Sequence, residues 1–325
     1  MSAIKTVFQL DSKPSFFESI TIRPSGTLIV TRQDTNEIWE IDPVSRAGKC
    51  IATVPDVASV TGIAQVLPDV YAFGAGTYRL ENHQGTVTGS YSVWVVNLRG
   101  SEPDVRLVVK MPEVGQLNGL AAWDAEAVLA ADSLKDPPNA PVRMGVNGIK
   151  IRKVDGIKYI YYTITTRMLF CRVPVDDDVI STDTVEILAT GYASQIVAVG
   201  TMFEGHSSAT IPEDVERTLA HPLPPPTVGL VPDDFCVADD GTVYMTRHPT
   251  NMVIRIPPNG GEGVVIAAGF ASWDVASATA CALGVTKADK DMLYVTTAGG
   301  NVVPINGQTE AAKIVVVKVG AETTP

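Results

Sequence analysis

The sequence predicts an all-β fold, a six-bladed β-propeller, and three observations predict it. Apolar and polar residues alternate in short runs, one strand-turn-strand pattern recurs along the chain, and helical periodicity is almost absent. A chain of 325 residues also exceeds what one ordinary core supports, whereas a propeller grows by repetition within a single domain, here 1–325.

The units follow in order. The first runs from Glu18 through Gly26 to Thr31 and continues into the strand Glu37 to Asp42. A second, weaker one joins Thr61-Gly-Ile-Ala to Val70-Tyr-Ala-Phe and Tyr91 to Val96. The third holds only Asn118-Gly-Leu-Ala and Ala127 to Ala131 before a Pro-rich stretch (Pro137, Pro138, Pro141), so an abbreviated third blade is expected. Asn147 to Ile151, Tyr159 to Thr163 and Met168 to Val173 form the fourth. Asp233 to Val237, Gly241 to Thr246 and Met252 to Ile256 form the fifth. Ala278 to Ala282, Met292 to Thr296 and Lys313 to Val317 form the sixth, and Lys5 to Leu10 is placed to close it. Residues 191–230 read as an insertion before the fifth blade, either a plain surface insertion or a lid over the mouth. Thr210 opens a short helix there, and Ile196, Val197, Val199, Met202 and Phe203 offer apolar wall.

Composition narrows function. Lys and Arg number 25 against 36 Asp and Glu, a net charge of −11, and no basic run interleaves with aromatics. Nucleic acid and anionic membranes are therefore not expected partners. No apolar run reaches the roughly 18 residues of a membrane span, and none near the N-terminus has signal-peptide length, which predicts a cytoplasmic setting. The four cysteines lie far apart without CxxC spacing and read as reduced thiols.

In a propeller the starts of the innermost strands and the exits of the second strands open on one face around the channel. The starts are Glu18, Thr61, Asn118, Asn147, Asp233 and Thr279. The exits bring Arg32, Tyr78, Ser133, Lys135, Thr166, Arg167, Arg247, His248 and Thr297. Glu18, Asn147 and Asp233 are hard oxygen donors suited to Ca²⁺ or Mg²⁺ rather than zinc. There is no G-x-S-x-G nucleophile turn, and the double glycines Gly260-Gly261 and Gly299-Gly300 open no helix that could cradle phosphate.

Taken together, Glu18 to Arg23, Ser90 to Val96, Leu117-Asn-Gly-Leu120, Ala131-Asp-Ser133, Gly145 to Lys150, Phe170 to Pro174, Asp233-Asp-Phe235 and Leu293 to Gly300 resemble the fungal branch of the SMP-30/gluconolactonase-like propellers. The resemblance implies that a divalent ion would be held by Glu18, Asn147 and Asp233, with Asn118 as an extra contact, as in the metal-dependent lactonases. It also extends to propellers similar to hetero-Diels–Alderases, which join a quinone-methide-like oxadiene to a terpene alkene in secondary metabolism. The short third blade and the segment 191–230 depart from the lactonase pattern and favour such a cyclase, with lactonase and non-catalytic small-molecule binding as alternatives. A cycloaddition requires no cofactor. It needs apolar walls and donors aimed at a carbonyl that gains electron density. Candidate donors are Arg247, Arg167, Lys135, Tyr78 and His248. Candidate contacts for small apolar substrates are Asn118, Thr166, Met202, Phe203, Phe270, Trp273 and Thr297.

Overall fold

The computed structural model describes residues 4–79, 85–133, 145–176, 185–190, 232–269 and 271–319. Over these the chain is all-β, without a helix, and its sheets are arranged as a propeller. The N-terminal strand β1 (Ile4–Gln9) is held in reserve for the final blade. Blade 1 comprises β2 (Phe17–Ile22), β3 (Leu28–Arg32), β4 (Glu37–Asp42) and β5 (Ala47–Thr53). The next sheet comprises β6 (Ser59–Leu67), β7 (Val70–Gly76), β8 (Ser92–Asn97) and β9 (Asp104–Lys110). Among the described residues the third position holds two strands, β10 (Leu117–Ala122) and β11 (Val128–Asp132).

The fourth sheet is β12 (Val146–Val154), β13 (Ile157–Ile164), β14 (Leu169–Val175) and β15 (Glu186–Thr190). The fifth is β16 (Phe235–Val237), β17 (Val243–Arg247), β18 (Met252–Ile256) and β19 (Val264–Ala268). The last is β20 (Ala278–Leu283), β21 (Met292–Thr297) and β22 (Lys313–Lys318), with β1 antiparallel to β22 as its outer strand. Among the described residues five sheets thus have four strands and the third position has two. The segment 191–230, with Met202 and Phe203, lies outside the described residues, as do Lys135 and Phe270.

The innermost strands form a closed cycle of contacts, β2 on β6, β6 on β10, β10 on β12, β12 on β16, β16 on β20 and β20 back on β2. Apolar faces of neighbouring sheets make the core between blades. Ile29, Ile38, Val60, Phe73 and Val96 join the first two, and Tyr161, Phe170, Phe235, Met245 and Ile254 join the fourth and fifth.

Five of the six inner strands break register at the same place, and β16 pairs with β17 without a slip. The pairing slips between Phe17 and Ile20, Val60 and Ile63, Leu117 and Leu120, Val146 and Ile149, and Ala278 and Cys281. A bulge lets two residues oppose one and re-aims a side chain, here the polar residue at each strand start. The single residue opposite the bulge is threonine in three blades, Thr246 holds the equivalent position in the fifth, and each hydroxyl joins neighbours. Thr31 Oγ1 accepts from Ser19 N at 3.1 Å and donates to the Thr61 carbonyl at 2.7 Å. Thr163 accepts from Gly148 N at 2.8 Å and donates to the Asp233 carbonyl at 2.8 Å. Thr246 reaches the Thr279 carbonyl at 2.7 Å, and Thr296 accepts from Ala280 N at 3.0 Å.

Blades 2 and 3 have Gly74 and Ala131 at that position, and glycine closes those seams by close approach. A Cβ on Gly62 would stand 2.1 Å from the Asn118 carbonyl oxygen, and one on Gly119 would stand 2.4 Å from that of Asn147. Gly62→Ala should therefore destabilise the ring by about 1–3 kcal/mol through overpacking. Gly269→Ala, whose Cβ would meet nothing within 4 Å, should stay within about 0.5 kcal/mol of the parent. Urea titration of both variants checks this, and equal effects would contradict the seam argument.

Candidate functional site

The bulges bring Glu18, Thr61, Asn118, Asn147 and Thr279 to the inner rim, all buried, and Asp233 joins them from the residue pair just before β16. Not all of them are open to ligand. The Thr279 hydroxyl is committed to the Phe17 carbonyl at 2.6 Å and so serves the ring. Thr297, expected to touch substrate, is fully buried and its hydroxyl exchanges bonds with the backbone of Lys313 at 3.1 and 3.0 Å. It pins β22 to β21 instead of facing a ligand.

Glu18, Asn147 and Asp233 converge electrostatically. Burial, and then the charge of Asp234, push the Glu18 carboxyl up to about 8. Burial, then Glu18 and Asp234, hold Asp233 well above the usual carboxylate range. The Asn147 amide works against this shift, yet among the described residues neither its Nδ2 nor its Oδ1 has a partner of normal hydrogen-bond geometry, although the residue is 1% exposed. Asp234 turns away to Lys150, whose Nζ lies 2.7 and 2.9 Å from its carboxylate oxygens, and accepts from Phe235 N at 2.8 Å. Among the described residues no group of three or more His, Cys, Asp and Glu could hold a metal, since here only two carboxylates meet and the third donor is an amide. Two acids at close quarters with an unpartnered carboxamide nevertheless fit a hard divalent cation, which would take the two carboxylates and Asn147 Oδ1.

Beside Glu18 stand two tyrosines of blade 2. Burial and the Glu18 charge push Tyr78 up to about 12, and Tyr91 is shifted in the same direction, chiefly by burial, with Glu18 and Tyr78 contributing. Both hydroxyls are therefore protonated at neutral pH and can donate. Tyr91 was not apparent from sequence because it opens the apolar strand run Tyr91 to Val96 and reads as core. Thr86 and Gln116 are bonded to each other at 3.0 Å, and Tyr91 lies close enough to Thr86 for that hydroxyl to act on its phenol.

The exits of the second strands divide. Arg32 is bound by Asp34 at 2.5 Å and Glu37 at 2.7 Å, a structural knot. Arg247, at the end of β17, is 1% exposed, its Nη1 meets Met252 Sδ at 3.2 Å, and its Nε has no hydrogen-bond partner among the described residues. Burial lowers its guanidinium to about 10, which still leaves it a cation at neutral pH. His248 packs its ring 5.8 Å from that of Phe16, bringing the blade 5 exit to the entry of blade 1. Thr166 and Arg167 lie half-buried in the turn between β13 and β14. Trp273 is half-buried, and its carbonyl accepts from Lys313 Nζ at 2.7 Å.

No protein-family profile matches the chain. A provisionally named hetero-Diels-Alderase of a Phoma species is 27% identical over 136 residues, which are 39% of this chain and 39% of that protein. The match thus spans well under half of the relative's length. Among solved structures, a luciferin-regenerating enzyme superposes with a TM-score of 0.60 at 14% identity, covering 98% of this chain and 96% of that one. A virginiamycin B lyase from Staphylococcus aureus, solved with quinupristin as an inactive variant, gives 0.52 at 12% identity over 98% and 99%. A PQQ-bound aldose sugar dehydrogenase from Streptomyces coelicolor gives 0.52 at 13% over 98% and 99%. At these identities the structural likenesses show the fold, and the fold is a β-propeller.

Proposed function

We propose that the chain is a fungal biosynthetic cyclase of the hetero-Diels–Alder type, in a ring of six blades whose third is abbreviated. It would join a quinone-methide-like oxadiene to a terpene alkene, both small and largely apolar. The observation that carries the reading is the donor set at the mouth. The Tyr78 and Tyr91 hydroxyls stay protonated beside Glu18, and Arg247 is a buried cation for which no ion pair forms among the described residues. The partial likeness to the Phoma protein supports the same chemistry.

The reaction asks little else of the protein. Two bonds form between the termini of diene and alkene as three π bonds become one, and no proton or electron enters or leaves. The channel would hold both partners in near-attack geometry, and a donor would meet the oxadiene oxygen as it gains electron density. Arg247 is the strongest candidate for that donor, and Tyr78, Arg167 and His248 are the further candidates. A cytoplasmic setting fits the four free thiols.

The convergence of Glu18, Asn147 and Asp233 favours one second reading, a divalent-metal lactonase. A bound Ca²⁺ or Mg²⁺ would supply Lewis acidity to a carbonyl. In that case the two carboxylates and Asn147 would hold it, and Tyr78 would orient the substrate. Time courses of adduct formation and of aldonolactone opening, with and without chelator, separate the two. Full adduct formation in chelator with no lactone opening is expected. Lactone opening that vanishes in chelator, without any adduct catalysis, would replace the cyclase by the lactonase.

A further inference from the structure

Blades 1 and 5 carry the same eight-residue corner. Residues 31–38 read Thr-Arg-Gln-Asp-Thr-Asn-Glu-Ile, and residues 246–253 read Thr-Arg-His-Pro-Thr-Asn-Met-Val. The register matches too, since Thr31 lies opposite Ile38 and Thr246 opposite Val253. Both threonines donate to the carbonyl of the next inner strand.

The two arginines differ only in what surrounds them. In blade 1 the corner supplies its own acids. Arg32 Nε and Nη2 donate to Asp34 at 3.1 and 2.5 Å, and Nη1 donates to Glu37 at 2.7 Å. In blade 5 the same two positions are Pro249 and Met252. There, among the described residues, Nη1 meets a thioether at 3.2 Å, and Nε, the atom that bonds Asp34 in the other copy, has no partner. Among the described residues no carboxylate pairs with Arg247, which is 1% exposed. A buried cation without a counter-charge is strongly disfavoured, and a protein that keeps one has a use for it. The corner also lies at the mouth, because His248 touches Phe16, two residues before Glu18.

We propose that Arg247 forms an anion-binding subsite, which takes a carboxylate group of the small molecule entering the channel through the Nε edge that Asp34 occupies on Arg32. The ligand of this propeller is then itself an acid, with an apolar body and a charged end. The inference rests on the same placement of Arg247 at the mouth as the cyclase reading, but not on the cycloaddition.

Benzoate and benzamide, alike in size and differing in charge, are the probes, titrated by calorimetry into the full chain. Benzoate should bind about tenfold or more tightly than benzamide, the scale of a charge-assisted bond. Met252→Glu, which restores the acid that blade 1 has as Glu37, should weaken benzoate by about tenfold or more while keeping Arg247. Arg247→Met should abolish the preference and raise the thermal midpoint of the ligand-free protein, because a buried unpaired charge has gone. If that variant does not fold, Met252→Glu alone decides. Benzoate binding no better than benzamide, full affinity in Met252→Glu, or a lowered midpoint in a folded Arg247→Met would each overturn the subsite. Benzoate binding without any adduct catalysis would leave the subsite standing and remove the cyclase.

Discussion

Arg247→Ala is expected to slow adduct formation by about tenfold to a thousandfold, the upper end being typical of a lost oxyanion donor. The size of the effect follows from burial. A guanidinium that is 1% exposed acts where water cannot substitute for it, and it is already in place before charge develops. Arg167→Ala, in the turn between β13 and β14, tests the alternative donor from blade 4. Initial rates at saturating diene and alkene are the readout. If both variants keep the parent rate, neither arginine donates in the reaction.

The second large effect concerns stability. Arg32→Met should cost about 3–5 kcal/mol, the range seen when one partner of a buried ion pair is removed. Asp34, with a side chain only 8% exposed, and Glu37 would lose their shared cation. Each keeps one other donor, Phe16 N on Asp34 at 3.0 Å and Trp39 Nε1 on Glu37 at 2.8 Å, which points to the lower end. Urea denaturation measures it, and a loss under about 1 kcal/mol, the worth of an exposed pair, would show that the knot is not buried in effect. The contrast with Arg247, whose replacement should not destabilise, is the sharper test, because the two arginines occupy equivalent positions.

The ring of inner-strand starts was legible in the sequence because the same physical demand recurs at each. A bulged residue facing a polar channel must be polar, and the residue after it must allow the next strand to approach. Asn118-Gly119 and Asn147-Gly148 meet both conditions openly, and Glu18 and Asp233 meet the first. The two strands at the third position were legible in Asn118-Gly-Leu-Ala and Ala127 to Ala131, while Pro137, Pro138 and Pro141 lie outside the described residues.

Second-strand exits were harder to read. A polar side chain there can face the channel, bridge to its own corner or stitch the sheet, and sequence does not separate these fates. Thr297 stitches, Arg32 is bound within its corner, and Arg247 is not, although the two arginines share the dipeptide Thr-Arg. The difference lies two and five residues downstream of each arginine, where acids become Pro249 and Met252, and it acquires meaning only once the contacts of Arg32 are known. Tyr91 was hidden for a related reason, since a tyrosine in an apolar strand run reads as core until Glu18 is found beside it.

The propeller is expected to choose how two unsaturated partners close. Stereoisomer ratio tests it more directly than rate, because such closures also proceed slowly in buffer. The diene precursor and terpene are incubated with the chelator-treated protein and, in parallel, with buffer alone, and the adducts are resolved by chiral chromatography. One dominant stereoisomer is expected with the protein, against a mixture in buffer, and a drift toward the buffer mixture in Arg247→Ala. An isomer ratio equal to that of the buffer control, with no gain in rate, would contradict it.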